Sequence, residues 1–296
     1  MMTGTTRILL TGATGQVGRR FLPRLVQWAG PDAVRVLVRD PARVAQAARA
    51  GVEVVTGDLR EPGDRAKALA GATAVVNVAA AFRGVPDEEA LAVNRDAAVA
   101  LGREAAAAGV RRFVQASTNL VYPDGLGRPA LESDPVGPSP RFGVYPRSKA
   151  QAETGLRELV ANLPGDPAGA MELTVVRLAF VYGEGDSHLS DFLPRLAHWP
   201  AHKRLPVVHH ADVAQALWRA LSMPSAAGRT YNAVDDAPVT AYDIHALHGL
   251  PLPAGAAGAT DQDPWSGMAS NALLRAELGW RPLYPSLWTA RDAGAL

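Results

Sequence analysis

Cysteine is absent from the 296 residues, which excludes disulfides, thiolate metal sites and cysteine nucleophiles or acid/base groups. An excess of either charge is lacking too. Thirty Lys and Arg stand against 29 Asp and Glu, for a net charge of +1, so the basic surface that a phosphate backbone demands is missing and nucleic acid is not an expected partner. No apolar run approaches the roughly 18 residues of a membrane span. The opening Met1 to Leu10 holds only three consecutive apolar residues, too few for the core of a signal peptide, and no Asn-x-Ser/Thr acceptor occurs. These absences predict a soluble, cytoplasmic protein with no membrane partner.

What is present is alternation. Short apolar runs at Arg7–Thr11, Val34–Val38, Val52–Thr56, Ala74–Ala79, Arg112–Ala116 and Leu173–Leu178 are interleaved with helix-period stretches at Gln16–Trp28, Pro41–Ala50, Leu91–Ala108 and Tyr145–Ala161. Nearly continuous apolar strands alternating with helices predict an α/β fold, a doubly wound parallel sheet of Rossmann type covered on both faces. After Val181 the regularity fades into Pro-, His- and Trp-rich sequence with helical patches at Ala211–Ser222 and Asn271–Leu278. The expected division is a dinucleotide-binding domain over 1–180 and a smaller, partly irregular substrate-binding lobe over 181–296, interleaved with it. The Pro/Gly-rich stretches Tyr122–Pro140 and Gly249–Pro264 read as surface connections.

Directly after the first strand comes Thr11-Gly12-Ala13-Thr14-Gly15-Gln16-Val17-Gly18, leading into a helix. Glycine permits positive φ and close approach of a pyrophosphate, and the N–H groups that open a helix face negative charge. Gly12, Thr14, Gly15, Gln16 and Val17 are therefore candidate dinucleotide contacts, although the Gly-x-x-Gly-x-x-Gly spacing differs from Gly-x-Gly-x-x-Gly. In such a fold the second strand ends over the adenine ribose, where an acid accepts the 2′-hydroxyl and an arginine accommodates a 2′-phosphate. Here that end reads Val38-Arg39-Asp40. Arg39 favours NADP(H), and Asp40 keeps NAD(H) as the alternative. Asp58 and Leu59, at the end of the third strand, suit contact with the adenine; a local Asx-turn is the plainer reading of Asp58.

Tyr145-Pro146-Arg147-Ser148-Lys149 places a phenol and an ammonium four residues apart, on one face of a helix. A free phenol has a pKa of about 10, and a neighbouring cation lowers it, so Tyr145 is a candidate general acid. Upstream, Ser117-Thr118 puts hydroxyls where a parallel sheet opens its ligand crevice.

Taken with the first turn, these residues resemble the extended short-chain dehydrogenase/reductase family, which includes sugar-nucleotide epimerases and dehydratases and many carbonyl reductases. The ordered set that carries the resemblance also includes Gly57-Asp58-Leu59, Asn77-Val78-Ala79-Ala80, Asn94, Val121-Tyr122, Arg177, Val181-Tyr182-Gly183 and Asp212-Val213. The resemblance implies that Tyr145 is the acid/base, that Lys149 binds the nicotinamide ribose and depresses the tyrosine pKa, and that Thr118 positions the substrate oxygen. It adds Ala79 to the cofactor contacts and Asn94 to a supporting polar network.

Departures from the family pattern narrow the reaction. Dehydratases carry an acidic pair after Thr118, where this chain has Asn119-Leu120, neither able to exchange protons at neutral pH. Epimerases that invert a carbon beside a ketone often use a cysteine, which is missing. Between Glu184 and His210 only Arg195, Lys203 and Arg204 could meet a substrate diphosphate, while Phe192, Leu193, Trp199 and Pro200 read either as an apolar pocket wall or as core. Asn77 stands where many relatives have histidine. Pro200 breaks any helix aligning His198 with His202, and neither His209-His210 nor His245/His248 fits HExxH, so no metal is expected. The leading expectation is an NADP(H)-dependent reductase of a carbonyl on a small organic substrate. An NAD-dependent sugar-nucleotide epimerase and a non-catalytic dinucleotide sensor are the alternatives, and a homodimer is the default assembly.

Overall fold

The computed structural model describes residues 6–164 and 170–296. Six strands run in chain order through the first part of the sequence: β1 (Ile8–Thr11), β2 (Val34–Val38), β3 (Glu53–Thr56), β4 (Ala74–Asn77), β5 (Arg112–Thr118) and β6 (Glu172–Leu178). The later strands are β7 (Phe180–Tyr182), β8 (Arg204–Leu205), β9 (Val207–His209), β10 (Thr230–Ala233) and β11 (Val239–Thr240). The helices are α1 (Gln16–Ala29), α2 (Ala45–Arg49), α3 (Pro62–Leu69), α4 (Asp87–Leu91), α5 (Ala98–Ala107), α6 (Val144–Ala161), α7 (His188–Leu196), α8 (His210–Ser222), α9 (Ala241–Leu247), α10 (Ala272–Leu278) and α11 (Leu287–Asp292).

The main sheet has seven strands in the order β10-β6-β5-β4-β1-β2-β3, every pair parallel. The Rossmann-type expectation is met. The strand order reverses between β1 and β4, and in open sheets of this kind the ligand crevice lies at the carboxyl ends beside that reversal. Side chains of successive strand residues point to opposite faces, and the core divides accordingly. Ile8, Leu10, Val36, Val76, Val114 and Val176 join one apolar layer, under α1 and α8. Leu9, Leu37, Val75, Phe113 and Val175 join the other, under α3, α5 and α6.

The chain after residue 181 contributes twice. Strand β10 and helix α8 complete the main sheet and cover one face, with Tyr231, Ala216 and Leu217 fully buried. The rest forms a satellite cluster, with Tyr182, Leu189, Phe192, Leu196, Val207, Val239, Ile244 and Leu287 packed beside two small two-stranded sheets, β7-β9 and β8-β11. Sequence periodicity had no purchase on β10, because Thr230-Tyr231-Asn232-Ala233 is short and half polar. The loop Tyr122–Pro140, expected on the surface, is pinned inward at Tyr122 and Ala130, and Ala130 bridges to Ala269. Helix α4 runs into α5 through a π turn, Ala92–Ala97, which buries Asn94. Among the described residues no helix is long and apolar enough to cross a membrane.

Candidate active site

The turn after β1 is built around its glycines. Gly12 has φ +75°, and a Cβ there would lie 2.5 Å from the backbone nitrogen of Ala79, on the loop leaving β4. A Cβ on Gly18 would lie 2.0 Å from the Gly12 carbonyl oxygen. Both positions therefore need glycine for the polypeptide itself. Gly15 does not: its Cβ would meet only the Gly12 oxygen, at 3.4 Å. Gly15 is the N-cap of α1, with no side-chain cap and no acidic residue in the first turn. Gly15 and Gln16 are exposed; the Gly15 N–H is spent on the Gly12 carbonyl at 3.0 Å, which leaves the N–H groups after it, at Gln16 and Val17, for an anion. A dinucleotide pyrophosphate fits this cradle, and Gly12, Thr14, Gly15, Gln16 and Val17 are the residues that would surround it.

Arg39 and Asp40 lie exposed at the end of β2. The Asp40 carboxylate is turned back on its own chain, accepting from Ala42 N at 3.0 Å. Arg43, which sequence reasoning passed over, donates to the Thr14 carbonyl at 2.9 Å. Two guanidinium groups therefore flank this rim. The Asp58 carboxylate accepts from Arg60 through backbone and side chain, the local turn weighed above, and the Arg60 hydrogen bond holds its pKa low. Leu59 is half-buried against the second core layer.

Polar side chains lock the carboxyl edge. Asn77 accepts from Thr11 Oγ1 at 2.6 Å and from Ala79 N at 3.2 Å, and donates to Gln115 Oε1 at 2.8 Å. It ties β1, β4 and β5 together where many relatives have histidine. Asn94 clamps Ala81 through both its N–H and its carbonyl, at 2.8 and 2.9 Å, and donates to Ser148 Oγ at 3.0 Å; Ser148 in turn donates to the Tyr145 carbonyl. The loop after β4 is thereby fixed against α6.

Tyr145 opens α6 and Lys149 follows one turn later, 2% exposed. The ammonium donates to the carbonyl oxygens of Ala79 at 3.3 Å and Ala116 at 3.2 Å, and burial brings its pKa down to about 8. Thr118, two residues beyond Ala116, accepts from Leu120 N at 3.2 Å, which leaves its hydroxyl hydrogen to donate. Lys149 thus joins Ala79, which abuts Gly12, to Ala116, two residues before Thr118 on β5, with Tyr145 one turn ahead of Lys149 on α6. One expectation needs correcting. Lys149 is turned to the two carbonyls and does not lower the phenol; burial dominates and pushes Tyr145 up to about 12. The phenol oxygen has no hydrogen-bond partner among the described residues.

Behind this face, Glu153 is 1% exposed on α6 and accepts from Ser117 Oγ at 2.5 Å and from Arg177 Nη2 at 2.6 Å. Removing one partner of a buried ion pair strands the other charge. Glu153→Gln is expected to destabilise the fold by about 3 kcal/mol, read as a lower urea midpoint; an unchanged midpoint would show that Arg177 re-pairs at no cost.

Of the apolar residues weighed as pocket wall, Phe192 packs 5.0 Å from Phe180, beside the cluster that reaches Tyr145. Trp199 packs edge-on behind Phe192 at 5.5 Å. The loop after β4 adds two residues that the sequence had not singled out. Phe82 is 41% exposed with its ring 4.5 Å from that of Tyr145, and Arg83 lies over Phe82, Phe180 and Phe192.

A parallel sheet with this crossover, a glycine cradle at the opening of α1 and a Tyr–Lys pair on α6 define a nucleotide-binding protein of the short-chain dehydrogenase/reductase type. Residues 8–233 match the model of the NAD dependent epimerase/dehydratase family, and the chain belongs to that family. It is 31% identical over 249 residues to the 4-hydroxy-2-methyl-3-oxo-4-farnesyl-3,4-dihydroquinoline-1-oxide ketoreductase of Stigmatella aurantiaca, spanning 79% of this chain and 69% of that one. Over 219 residues it is 30% identical to the ceramide reductase of Caulobacter vibrioides, spanning 71% and 59%. A short-chain dehydrogenase/reductase superfamily protein from Agrobacterium tumefaciens, solved with bound NAD, superposes with a TM-score of 0.76 at 25% identity, covering 97% of this chain and 95% of that one. The family model is of NAD-dependent enzymes, and reductases are among the relatives.

Proposed function

We propose that this protein reduces a carbonyl on a small, largely apolar organic substrate with NADPH, using Tyr145 as proton donor. The observation that carries the reading is the phenol of Tyr145: protonated at neutral pH, without an internal hydrogen-bond partner, and one helical turn from Lys149, whose ammonium reaches the strand that ends in Thr118. Bound at the cradle, a reduced nicotinamide supplies the hydride. The chain's own part is to hold and protonate the oxygen. Thr118 donates to the substrate carbonyl oxygen, and Tyr145 gives up its proton as that oxygen gains charge. Lys149, held by the carbonyls of Ala79 and Ala116, is placed to meet the nicotinamide ribose.

The apolar wall around Phe82, Phe180 and Phe192 supports a hydrophobic ketone or aldehyde over a sugar nucleotide. So do two of the three cations between Glu184 and His210. Lys203 is committed to Asp261 at 2.8 Å, and Arg204 donates to the Pro264 carbonyl while its guanidinium covers Trp265. The ketoreductase and ceramide reductase relatives, named for lipophilic substrates, are consistent with the same reading.

Arg39, joined by Arg43, supports NADP(H), because Asp40 spends its carboxylate on Ala42 N. Arg39→Ala is expected to raise KM for NADPH by about ten- to a hundredfold, the worth of one charge-assisted hydrogen bond to phosphate, and to leave KM for NADH nearly unchanged. Steady-state kinetics with both cofactors decide; equal effects would overturn the preference.

A further inference from the structure

Two buried nitrogens beside Tyr145 have no partner: Arg83 Nε and His188 Nε2. They belong to one cluster. The Phe82 ring lies 4.5 Å from the Tyr145 ring and 5.9 Å from the His188 ring, and His188 stacks on Phe180 at 3.6 Å. The Arg83 guanidinium rests over Phe82 at 5.0 Å and over Phe180 and Phe192 at 5.8 Å. Arg83 is held there by a backbone that few side chains adopt, φ +48°, followed by Gly84 at +69°. A non-glycine residue in that region carries strain, and such strain concentrates at ligand sites. Arg83 forms no ion pair among the described residues.

The hydrogen-bond sense of each nitrogen is fixed. His188 Nδ1 lies 2.8 Å from the Val181 carbonyl oxygen, which can only accept, so Nδ1 carries the proton and Nε2 presents a lone pair. Burial and then the Arg83 charge lower the His188 pKa to about 4, against Asp186 and the Val181 carbonyl, which raise it, so the ring stays neutral at pH 7. Arg83 Nε is a donor only. Arg83 Nε therefore calls for an acceptor and His188 Nε2 for a donor, both against the Phe82 and Phe180 rings. A ketone or ether oxygen satisfies Arg83 alone, and a carboxylate would set its charge against the His188 lone pair. A hydroxyl satisfies both.

We infer that Arg83 Nε and His188 Nε2 form a second polar subsite that binds a hydroxyl of the substrate across the Phe82 ring from the carbonyl at Tyr145, so that the preferred substrates are hydroxyketones on a flat apolar frame. This rests on the carbonyl-reductase reading, which places the reacting oxygen at Tyr145. A site built to pair a hydroxyl rejects analogues lacking it, because its own buried groups are then left unpaired.

The test uses the full chain with NADP⁺ and four probes, the para-substituted hydroxy, methoxy and carboxy acetophenones and acetophenone itself, with the meta isomers alongside. Calorimetry is expected to show the hydroxy compound binding at least about tenfold tighter than the methoxy compound, and His188→Phe, which keeps the stacked ring, is expected to abolish that ratio. Should His188→Phe fold poorly, ¹⁵N spectra of the wild type serve instead. The His188 Nε2 resonance is expected to move from the position of a bare imidazole nitrogen toward that of a hydrogen-bonded one with the hydroxy probe alone. Equal binding of hydroxy and methoxy probes, a ratio that survives His188→Phe, or an unmoved Nε2 resonance would each overturn the subsite. Turnover is read separately with NADPH. A hydroxyl preference without reduction leaves the subsite standing and sinks the reductase reading, and reduction without the preference does the reverse.

Discussion

Tyr145→Phe is expected to lower kcat by about 10²- to 10⁴-fold, the usual worth of a positioned proton donor, and to leave the NADPH dissociation constant within about twofold of wild type. The expectation follows from how little else the oxygen does. It holds no hydrogen bond in the fold, so its loss unpairs nothing, while the ring's packing against Phe82 at 4.5 Å is retained. Burial keeps the phenol up to about 12, so the group enters the reaction as an acid across the neutral range. Single-turnover kinetics and fluorescence titration of NADPH check the two halves. A variant keeping more than about a tenth of kcat would transfer the proton role to water or to Thr118.

Gly15→Ala is the second large effect, and Gly18→Ala is its contrast. An added methyl at Gly15 meets only the Gly12 oxygen at 3.4 Å, so the fold accepts it with little change. Its loss should therefore fall on the ligand, whose phosphates must approach the opening N–H groups of α1. Dinucleotide affinity is expected to drop by about a hundredfold or more, since a methyl at that rim displaces hydrogen bonds to charged oxygens worth roughly 1.5–3 kcal/mol each. At Gly18 the same methyl would stand 2.0 Å from the Gly12 carbonyl oxygen and 2.7 Å from Ala13 Cα. That change is expected to unfold the turn, with loss of stability as well as affinity. Thermal melts and dinucleotide titration separate the variants; a Gly15→Ala protein that binds NADPH normally would show that the pyrophosphate sits elsewhere.

Much of this was legible before any coordinates. Val34–Val38 was read with both ends as the structure has them, and Gln16–Trp28 and Tyr145–Ala161 fell within a residue of their helices, because long apolar periods and the glycine turn leave few alternatives. Tyr145 and Lys149 are legible as a pair, and Thr118 as a strand-end hydroxyl, because four-residue spacing and strand-end position are local properties. Arg83, His188 and Arg43 are not. Their meaning depends on which carbonyl or ring each one meets across the fold, and nothing in Ala81-Phe82-Arg83-Gly84 or Ser187-His188-Leu189 announces those encounters. The direction of the Tyr145 shift is illegible in the sequence for a related reason. Spacing shows that a cation is near in sequence, whereas the carbonyls of Ala79 and Ala116, 70 and 33 residues away, decide where that cation points.

Strand β10 arrives only after the chain has left the sheet, laid down β7, α7 and β9, and returned through α8. The nucleotide platform and the wall that faces Tyr145 are therefore braided rather than appended. The polypeptide that forms α7 and its strands is the same one that closes the β6 edge through β10. Loosening of the substrate wall should register as weaker grip on the dinucleotide, and a tightly held dinucleotide should stiffen the wall.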